Sequence, residues 1–259
     1  VDKTRDGILY IKSGLLTSRE ALNKIKLPDV DDERLYDCAE EFVKKYKGEF
    51  ALYCRIRLGI SYMLNSMGLE DFSFLMYDDP DMVKEALDMY TDWVAKLIRN
   101  LIEIGFDFIW TFDDMAYRTS PMFSNAVWDE FFYPYLKKAA DAITIPWIFH
   151  SDGNLLPIMD RLLKLGMNGI HPLEPGSMDL KELKQKYGDK VCLIGNIDID
   201  HTLTTGTEEE IYQEVKERIE LLGPGGNYII SDSNSIPGYC SSKNVMLMAM
   251  AVEKYRNIY

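Results

Sequence analysis

The sequence predicts an α/β fold of the (β/α)₈ TIM-barrel type. Short apolar runs recur along the chain, and glycines separate several helical stretches from the run that follows. Runs that are apolar throughout are typical of parallel strands buried on both faces. Because strand, helix and glycine alternate at intervals of roughly 20 to 50 residues, the pattern indicates βα units around a parallel sheet.

Six segments are predicted as strands, with a weaker candidate ahead of them. The six are Ala51–Arg57, Asp107–Phe112, Pro146–Phe149, Gly169–Pro172, Val191–Gly195 and Asn227–Ser231, and the weaker one is Gly7–Lys12. A (β/α)₈ barrel needs eight strands, so we expect a barrel that lacks its first strand or strands. No GxGxxG motif follows any of them, which disfavours a doubly wound dinucleotide-binding sheet.

Capping residues mark the predicted helix boundaries. The predicted helix starts are Thr17-x-x-Glu20, Asp179-x-x-Glu182, Thr207-x-x-Glu210 and Asp79-Pro80. The predicted C′ glycines are Gly105, Gly166, Gly188 and Gly223. The run Gly223-Pro224-Gly225-Gly226 precedes a strand, so it predicts a turn and not a phosphate-binding loop.

Charge and cysteine content narrow the function classes. The chain has 29 basic and 42 acidic residues and a net charge of −13, which argues against nucleic acid or an anionic membrane as a partner. A polyanionic small substrate would likewise need a local arginine cluster. The four cysteines form no CxxC pair, and the start carries no signal peptide, so we expect a cytoplasmic protein. No apolar run approaches the ~20 residues of a membrane span.

Polar residues follow five of the predicted strands, at the end where barrels hold their active sites. The five sets are Asp113-Asp114, His150 with Asp152, His171 to Glu174, Asn196 with Asp198, and Ser231 to Asn234. Carboxylates, a histidine and amides on one rim suit a divalent metal or acid–base catalysis.

His150 is the strongest catalytic candidate, followed by Asp152, Asp114 and Asp113. Two structural alternatives stay open, because an aspartate after a strand often caps the next helix and a histidine can be satisfied by backbone. For His171, packing in the core is as good an interpretation as function. His201, in a polar turn, is expected to be a surface or capping residue.

Substrate-binding candidates come from the same regions. Three aromatic residues near the predicted mouth are candidates to flank an apolar or aromatic substrate, and two asparagines are candidates to orient it. One arginine is a further substrate-binding candidate. These candidates are Trp110, Phe112 and Tyr117, with Asn196, Asn234 and Arg57. Cys240 could reach the rim as a soft metal ligand, although no motif pairs with it, and a bystander thiol is the more favoured interpretation.

In these motifs the chain resembles the uroporphyrinogen decarboxylase superfamily, and within it the cobalamin-dependent methyltransferase branch. The matching motifs begin near Tyr46 and are Gly59–Leu64, Tyr77–Pro80, Gly105–Asp107 with Asp113-Asp114, Phe131–Leu136, His150–Asn154, His171–Glu174, Gly195–Asp198 and Ser231–Pro237. The resemblance implies a (β/α)₈ barrel with its site in the C-terminal mouth. We therefore predict a single domain over residues 1–259, with 1–45 as a lead-in and 46–259 as the core of the resemblance.

The departures from the family pattern favour methyl transfer over decarboxylation. True uroporphyrinogen decarboxylases bind their polycarboxylate substrate with an arginine-rich N-terminal motif that has no counterpart here, and their late histidine corresponds to Asn234. Thiol-activating methyltransferases of the branch hold zinc with a His-x-Cys pair and a distant cysteine. In this chain the pair is His150-x-Asp152, with Cys240 as a stand-in for the distant ligand.

The resemblance therefore implies an oxygen-rich zinc site suited to Lewis acid chemistry, with His150, Asp152, Glu174 and Cys240 as candidate ligands. We expect a methyl group to move between a small O- or N-methyl donor, such as a methoxylated aromatic, and a corrinoid protein. His150 and Asp152, with Asp114 or Glu174, would hold the metal or protonate the leaving oxygen. A homodimer is a further possibility that the sequence leaves open. The alternatives are a decarboxylase acting on a porphyrinogen and a non-catalytic corrinoid- or metal-binding barrel.

Overall fold

The computed structural model describes residues 14–258 in full and residues 2–3 and 9–10 as backbone. The chain forms two compact units. The first comprises residues up to Asp113 together with Ser124–Trp147, and the second comprises Asp114–Phe123 and the residues from Ile148 onwards. The single domain expected from the sequence, with its lead-in and core, stays a prediction.

All six predicted strands are present; five are shorter than the predicted run, and β5 has the same length as its run but begins one residue later. They are β3 (Tyr53–Ile56), β4 (Phe108–Phe112), β5 (Trp147–His150), β6 (Gly169–His171), β7 (Cys192–Ile194) and β8 (Tyr228–Ile229). In its described residues, the weaker candidate, Gly7–Lys12, does not add a strand to the parallel sheet. Its residues Leu9–Tyr10 form β2, which pairs antiparallel with β1 (Asp2–Lys3) in a separate sheet, and its other residues lie outside the described part.

Helices follow most of the parallel strands. They are α1 (Arg19–Lys24), α2 (Asp37–Tyr46), α3 (Ile60–Met67), α4 (Leu69–Asp78), α5 (Pro80–Ile104), α6 (Asn125–Val127), α7 (Tyr133–Ala140), α8 (Met159–Leu163), α9 (Leu180–Tyr187), α10 (Glu208–Leu222) and α11 (Ser242–Tyr255). Short 3₁₀ turns cover Glu33–Leu35 and Leu156–Ile158, and a π-turn covers Trp128–Phe132. In the described residues, no helix is both long and apolar enough to cross a membrane.

In the first unit, β3 and β4 run parallel, with Cys54 opposite Ile109 and Ile56 opposite Thr111. Burial alternates along β4, because Ile109 and Thr111 are buried whereas Phe108, Trp110 and Phe112 are partly exposed. This alternation has the two-residue period of a β-strand with one face buried.

In the second unit, β5 from Ile148 onwards, β6, β7 and β8 are parallel neighbours in that order. The register places His150 opposite His171 at the carboxyl ends of β5 and β6. Helices α10 and α11 cover a core in which Ile197, Val215 and Ala251 are buried. The pairing of parallel strands with helices confirms the predicted α/β class.

Helix capping follows the predicted residues at three of four starts. Asp79 and Asp179 accept N-cap hydrogen bonds, and Thr207 forms a complete capping box with Glu210. The start at Thr17 is corrected, because Ser18 is the N-cap of α1 and accepts from the Ala21 N–H.

The glycine stops divide into two kinds. Gly105 ends α5 in the left-handed conformation, with φ of 110°, and Gly166 has φ of 106°. Gly188 and Gly223 directly follow α9 and α10, as predicted, but with φ of −66° and −67° and so without the left-handed conformation. The run that begins at Gly223 forms a turn as expected, in which the Gly226 N–H donates to the Gly223 carbonyl.

Asp113, a predicted catalytic residue, is fully buried in the first unit at the N-terminus of α3. Its two oxygens accept the backbone N–H groups of Leu58 and Ser61, at 2.6 and 2.7 Å. Burial raises its pKa to about 6, against the lowering effect of these bonds and of Arg57. Because both oxygens accept backbone N–H groups, Asp113 holds together the loop that enters α3 and acts as a clamp on it.

We expect Asp113→Asn to lower the free energy of unfolding by about 1–3 kcal/mol, because the amide nitrogen would face one of the two backbone donors. Urea unfolding near neutral pH measures the effect. Asp189→Asn, at an exposed turn position, is the matched control. An Asp113→Asn protein as stable as wild type would contradict the clamp.

Candidate active site

The segment from His150 to Gly153 begins at the carboxyl end of β5. There the Nδ1 atoms of His150 and His171 are 2.7 Å apart. One ring nitrogen must donate in this contact and the other accept. On its other side, His150 places Nε2 at 3.9 Å from one carboxylate oxygen of Asp114 and of Asp152.

Ser151 and Gly153 fix the turn after the strand. The buried Ser151 hydroxyl accepts the Met115 N–H at 2.9 Å and so ties this turn to the segment that follows Asp114. Gly153 has φ of 89°, and a Cβ at this position would lie 2.5 Å from the Ala116 carbonyl oxygen. Only glycine therefore allows the two segments to approach this closely. The Asp152 N–H also donates to the Asp114 carboxylate, at 3.2 Å.

Asp152 is the most perturbed carboxylate of this group. One oxygen, Oδ2, accepts from the Asn234 amide at 2.9 Å. The other, Oδ1, is buried and has no hydrogen-bond partner among the described residues. Burial, and then the negative charges of Asp114 and Glu174, raise the pKa of Asp152 to about 7, although the Asn234 bond acts to lower it. Asp152 is not a helix cap, since the next helical turn begins at Leu156 with Leu155 as its N-cap.

Asp114, His150 and Asp152 together could hold a metal ion. One ligand atom from each lies within 4.8 Å of the others. A histidine and two carboxylates are suitable ligands for zinc. The donor set fits a cation on two further grounds: the buried Oδ1 of Asp152 lacks a partner, and His150 is oriented through its second ring nitrogen, as metal-bound histidines usually are.

A cavity of about 240 Å³ lies beside this cluster. Its lining consists of Arg118, Asp152, Glu174, Pro175, Asp198, Ile199, Asp200, Ser233 and Asn234. Glu174 is fixed at its wall, because one oxygen accepts the Gly153 N–H at 2.8 Å and the other lies 3.4 Å from Arg118 Nε. Glu174 thus lines the cavity but does not join the three metal-binding candidates.

Cys240 and Asn196 belong neither to the metal-binding group of the described residues nor to the cavity lining. The Cys240 sulfur points at the Ile199 carbonyl at 3.6 Å and packs beside the core around Ile197 and Leu203, so the structure does not bring it to the proposed ligands. Asn196 is buried, and its amide donates to the Leu173 carbonyl at 2.6 Å. Its Oδ1 has no partner among the described residues.

The predicted aromatic residues do not line the cavity. In the first unit, Trp110 packs against Tyr53, and Phe112 lies under the guanidinium of Arg57 at 4.3 Å. Tyr117 is half exposed, and its carbonyl accepts the Asn154 N–H. Substrate binding by Trp110, Phe112, Tyr117 and Arg57 stays a prediction.

Sequence reasoning did not select several residues that the structure brings to the site. These are His171, Arg118, Asp198, Asp200 and Ser233. Most of them lay within the polar sets that follow strands, but the sequence alone could not separate them from their neighbours. His201, by contrast, is exposed beside Glu210, as expected of a surface residue.

A larger groove, of about 660 Å³, lies in the first unit. Its lining is Phe42, Tyr46, Phe50, Ala51, Leu52, Tyr53 and Arg55. These side chains offer no carboxylate, histidine or thiol, which are the usual protein ligands of zinc. The smaller cavity lies beside Asp114, His150 and Asp152, which offer such ligands.

Comparison with known proteins gives a consistent family assignment. The family model described as Uroporphyrinogen decarboxylase (URO-D) matches residues 4–255. The uroporphyrinogen decarboxylase of Dechloromonas aromatica (strain RCB) is 24% identical over 209 residues, covering 76% of this chain and 56% of that protein. The methylcobamide:CoM methyltransferase MtaA of Methanosarcina barkeri is 25% identical over 175 residues, covering 68% of this chain and 50% of that protein. The chain thus spans little more than half the length of these relatives.

A solved structure shares the fold. A methyltransferase from Methanosarcina mazei superposes with a TM-score of 0.73 at 20% identity, covering 96% of this chain and 71% of that one. This likeness confirms the predicted TIM-type α/β fold.

The pKa of Asp152 leads to a prediction about stability. Its folded-state pKa of about 7 lies above the value near 3.9 of an unfolded aspartate, so ionisation costs stability as the pH rises through this window. We expect Asp152→Asn to raise the free energy of unfolding by about 1–2 kcal/mol relative to wild type at a pH above this window. This figure allows for solvent screening of the partly exposed carboxylate.

Urea unfolding of chelator-treated protein at pH values near 5.5 and 8 tests this. The gain should appear at the higher pH and shrink at the lower one. Asp189→Asn controls for the generic effect of the substitution. A gain that is equal at both pH values would show that ionisation of Asp152 is not its cause.

Proposed function

Because this chain belongs to the uroporphyrinogen decarboxylase family, whose members are enzymes, we propose that it is a methyltransferase. It would move a methyl group between a small O- or N-methyl donor and a corrinoid protein. The observation that carries the proposal is the group Asp114, His150 and Asp152 beside a small polar cavity. The similarity to the methyltransferase MtaA supports it.

Asp114, His150 and Asp152 would hold zinc. When bound, zinc supplies Lewis acid polarisation of the donor atom that carries the methyl group. The unpartnered Oδ1 of Asp152 and the close approach of the three ligand atoms support this assignment. Two carboxylates and an imidazole would leave zinc more electrophilic than thiolates would, which suits activation of a leaving group.

The neighbouring residues would position these ligands. His171 fixes the ring of His150 through the contact between their Nδ1 atoms, and Asn234 holds Asp152 through Oδ2. Arg118 and Gly153 hold Glu174 at the cavity wall. Such supporting contacts orient metal ligands. In other metal sites, their loss typically lowers metal affinity or activity by about 10–100-fold.

The size and charge of the cavity favour a small donor over a porphyrinogen. At about 240 Å³ the cavity is small for a tetrapyrrole, since sites for drug-sized ligands typically measure about 300–1,000 Å³. Its several carboxylates would also repel a polycarboxylate substrate. Decarboxylation remains the second candidate because curated relatives bear the name uroporphyrinogen decarboxylase.

Metal content is the first test. We expect about one zinc per chain in purified wild-type protein by elemental analysis, and its loss in His150→Ala, because the imidazole is one of few ligands. His201→Ala removes an exposed histidine and should keep the zinc. Absence of zinc from wild-type protein purified with zinc in the medium would contradict the metal assignment.

Turnover is the second test. We expect methyl transfer from a panel of O- and N-methyl donors to a reduced corrinoid, followed by its absorbance. His171→Ala should lower the rate by about 10–100-fold, as loss of a supporting contact does, while His201→Ala should leave it unchanged. Formation of coproporphyrinogen from uroporphyrinogen, with no methyl transfer from any donor, would instead establish the decarboxylase.

A further inference from the structure

We propose that the donor is a small methylated cation, of the methylammonium class, and not a methoxylated aromatic. This inference rests on the proposed function and names the substrate class of the same site. It follows from which side chains surround the cavity and which charges among them remain unbalanced.

Carboxylates dominate the cavity wall. Asp152, Glu174, Asp198 and Asp200 all line it, and Arg118 is the one basic residue of the lining. Asp198 is held in place because its Oδ1 accepts the Asp200 N–H at 2.7 Å. Opposite charges that approach within a partly enclosed site attract more strongly than they do in bulk water.

Arg118 does not balance this charge. Its Nε lies 3.4 Å from Glu174, its Nη2 donates to the Pro175 carbonyl at 3.1 Å, and its side chain is 65% exposed. A divalent metal would be balanced by Asp114 and Asp152. Glu174, Asp198 and Asp200 would then still outnumber the arginine, so the cavity stays negative whether or not metal is bound.

The cavity also lacks a platform for an aromatic donor. No aromatic ring is among its lining residues in the described part of the chain. The non-ionisable lining is small: Pro175, Ile199, Ser233 and Asn234. A methoxylated aromatic acid would find no ring to stack on and would meet carboxylates of its own charge. A compact cation would meet opposite charge.

The chemistry balances without a proton for the leaving group. In a methylated ammonium ion the electron pair of the broken carbon–nitrogen bond stays on nitrogen, which departs as a neutral amine. The reduced corrinoid of the partner protein supplies the pair for the new bond to carbon. An oxygen donor would leave as an anion and would require protonation or a metal. An ammonium nitrogen has no lone pair, so zinc held by Asp114, His150 and Asp152 would not polarise this donor, and its Lewis acid role would apply only to oxygen or neutral nitrogen donors.

A pair of isosteres separates charge from shape. Choline and 3,3-dimethyl-1-butanol have the same shape, and only choline is charged. We expect isothermal titration of the purified full chain, with and without added zinc, to show at least about tenfold tighter binding of choline. Added salt should reduce the difference, and 4-methoxybenzoate should bind more weakly than choline.

Asp198→Asn tests the source of the selectivity. The amide oxygen can still accept the Asp200 N–H, so the loop is kept while one charge is removed. We expect choline affinity to fall between about three- and tenfold with alcohol affinity unchanged, and Asp189→Asn to change neither.

Equal binding of the two isosteres, or tighter binding of 4-methoxybenzoate, would overturn the inference. Methyl transfer from methoxy compounds with no preference for cations would overturn it while leaving the proposed methyltransferase intact. Selective cation binding with no methyl transfer from any donor would instead overturn the proposed function.

Discussion

The parallel pairing of β5 with β6 is the constraint on which the candidate site depends. Its register sets His150 directly opposite His171, and the two rings contact each other through Nδ1. A shift of one residue in either strand would turn that strand's histidine to the opposite face of the sheet and separate the two rings. The position of His150 Nε2 beside Asp114 and Asp152 is therefore a consequence of backbone hydrogen bonding several residues earlier, and the turn at Gly153 completes it.

The site concentrates negative charge at a cost to the folded state. Asp114 and Glu174 both act to raise the pKa of Asp152, and its Oδ1 is buried without a partner among the described residues. A carboxylate serving only structure would be expected to be fully hydrogen bonded, as Asp113 is. The contrast between these two aspartates separates a structural carboxylate from one whose environment calls for a cation.

The sequence predicted the strands because continuous apolar runs end abruptly at polar residues, and it predicted His150 with Asp152 because both follow such a run. It could not separate Asp113 from Asp114, since adjacent aspartates look equivalent until the loop before α3 binds one of them. Nor could it place Cys240, whose sulfur points at the Ile199 carbonyl. Those outcomes depend on contacts between residues distant in the chain, which periodicity and spacing do not encode.

The two residues at which the sequence resemblance indicates a departure from the family pattern contact each other. The resemblance sets Asp152 at the position of a cysteine in the thiol-activating branch, and Asn234 at the position of the late histidine of the decarboxylases. The two residues are 82 positions apart, yet the Asn234 amide donates to Asp152 Oδ2 at 2.9 Å. A cysteine at position 152 would give this amide only a weak acceptor, so the contact suits an aspartate there. The contact is in keeping with the oxygen ligands that we propose for a cation beside Asp152.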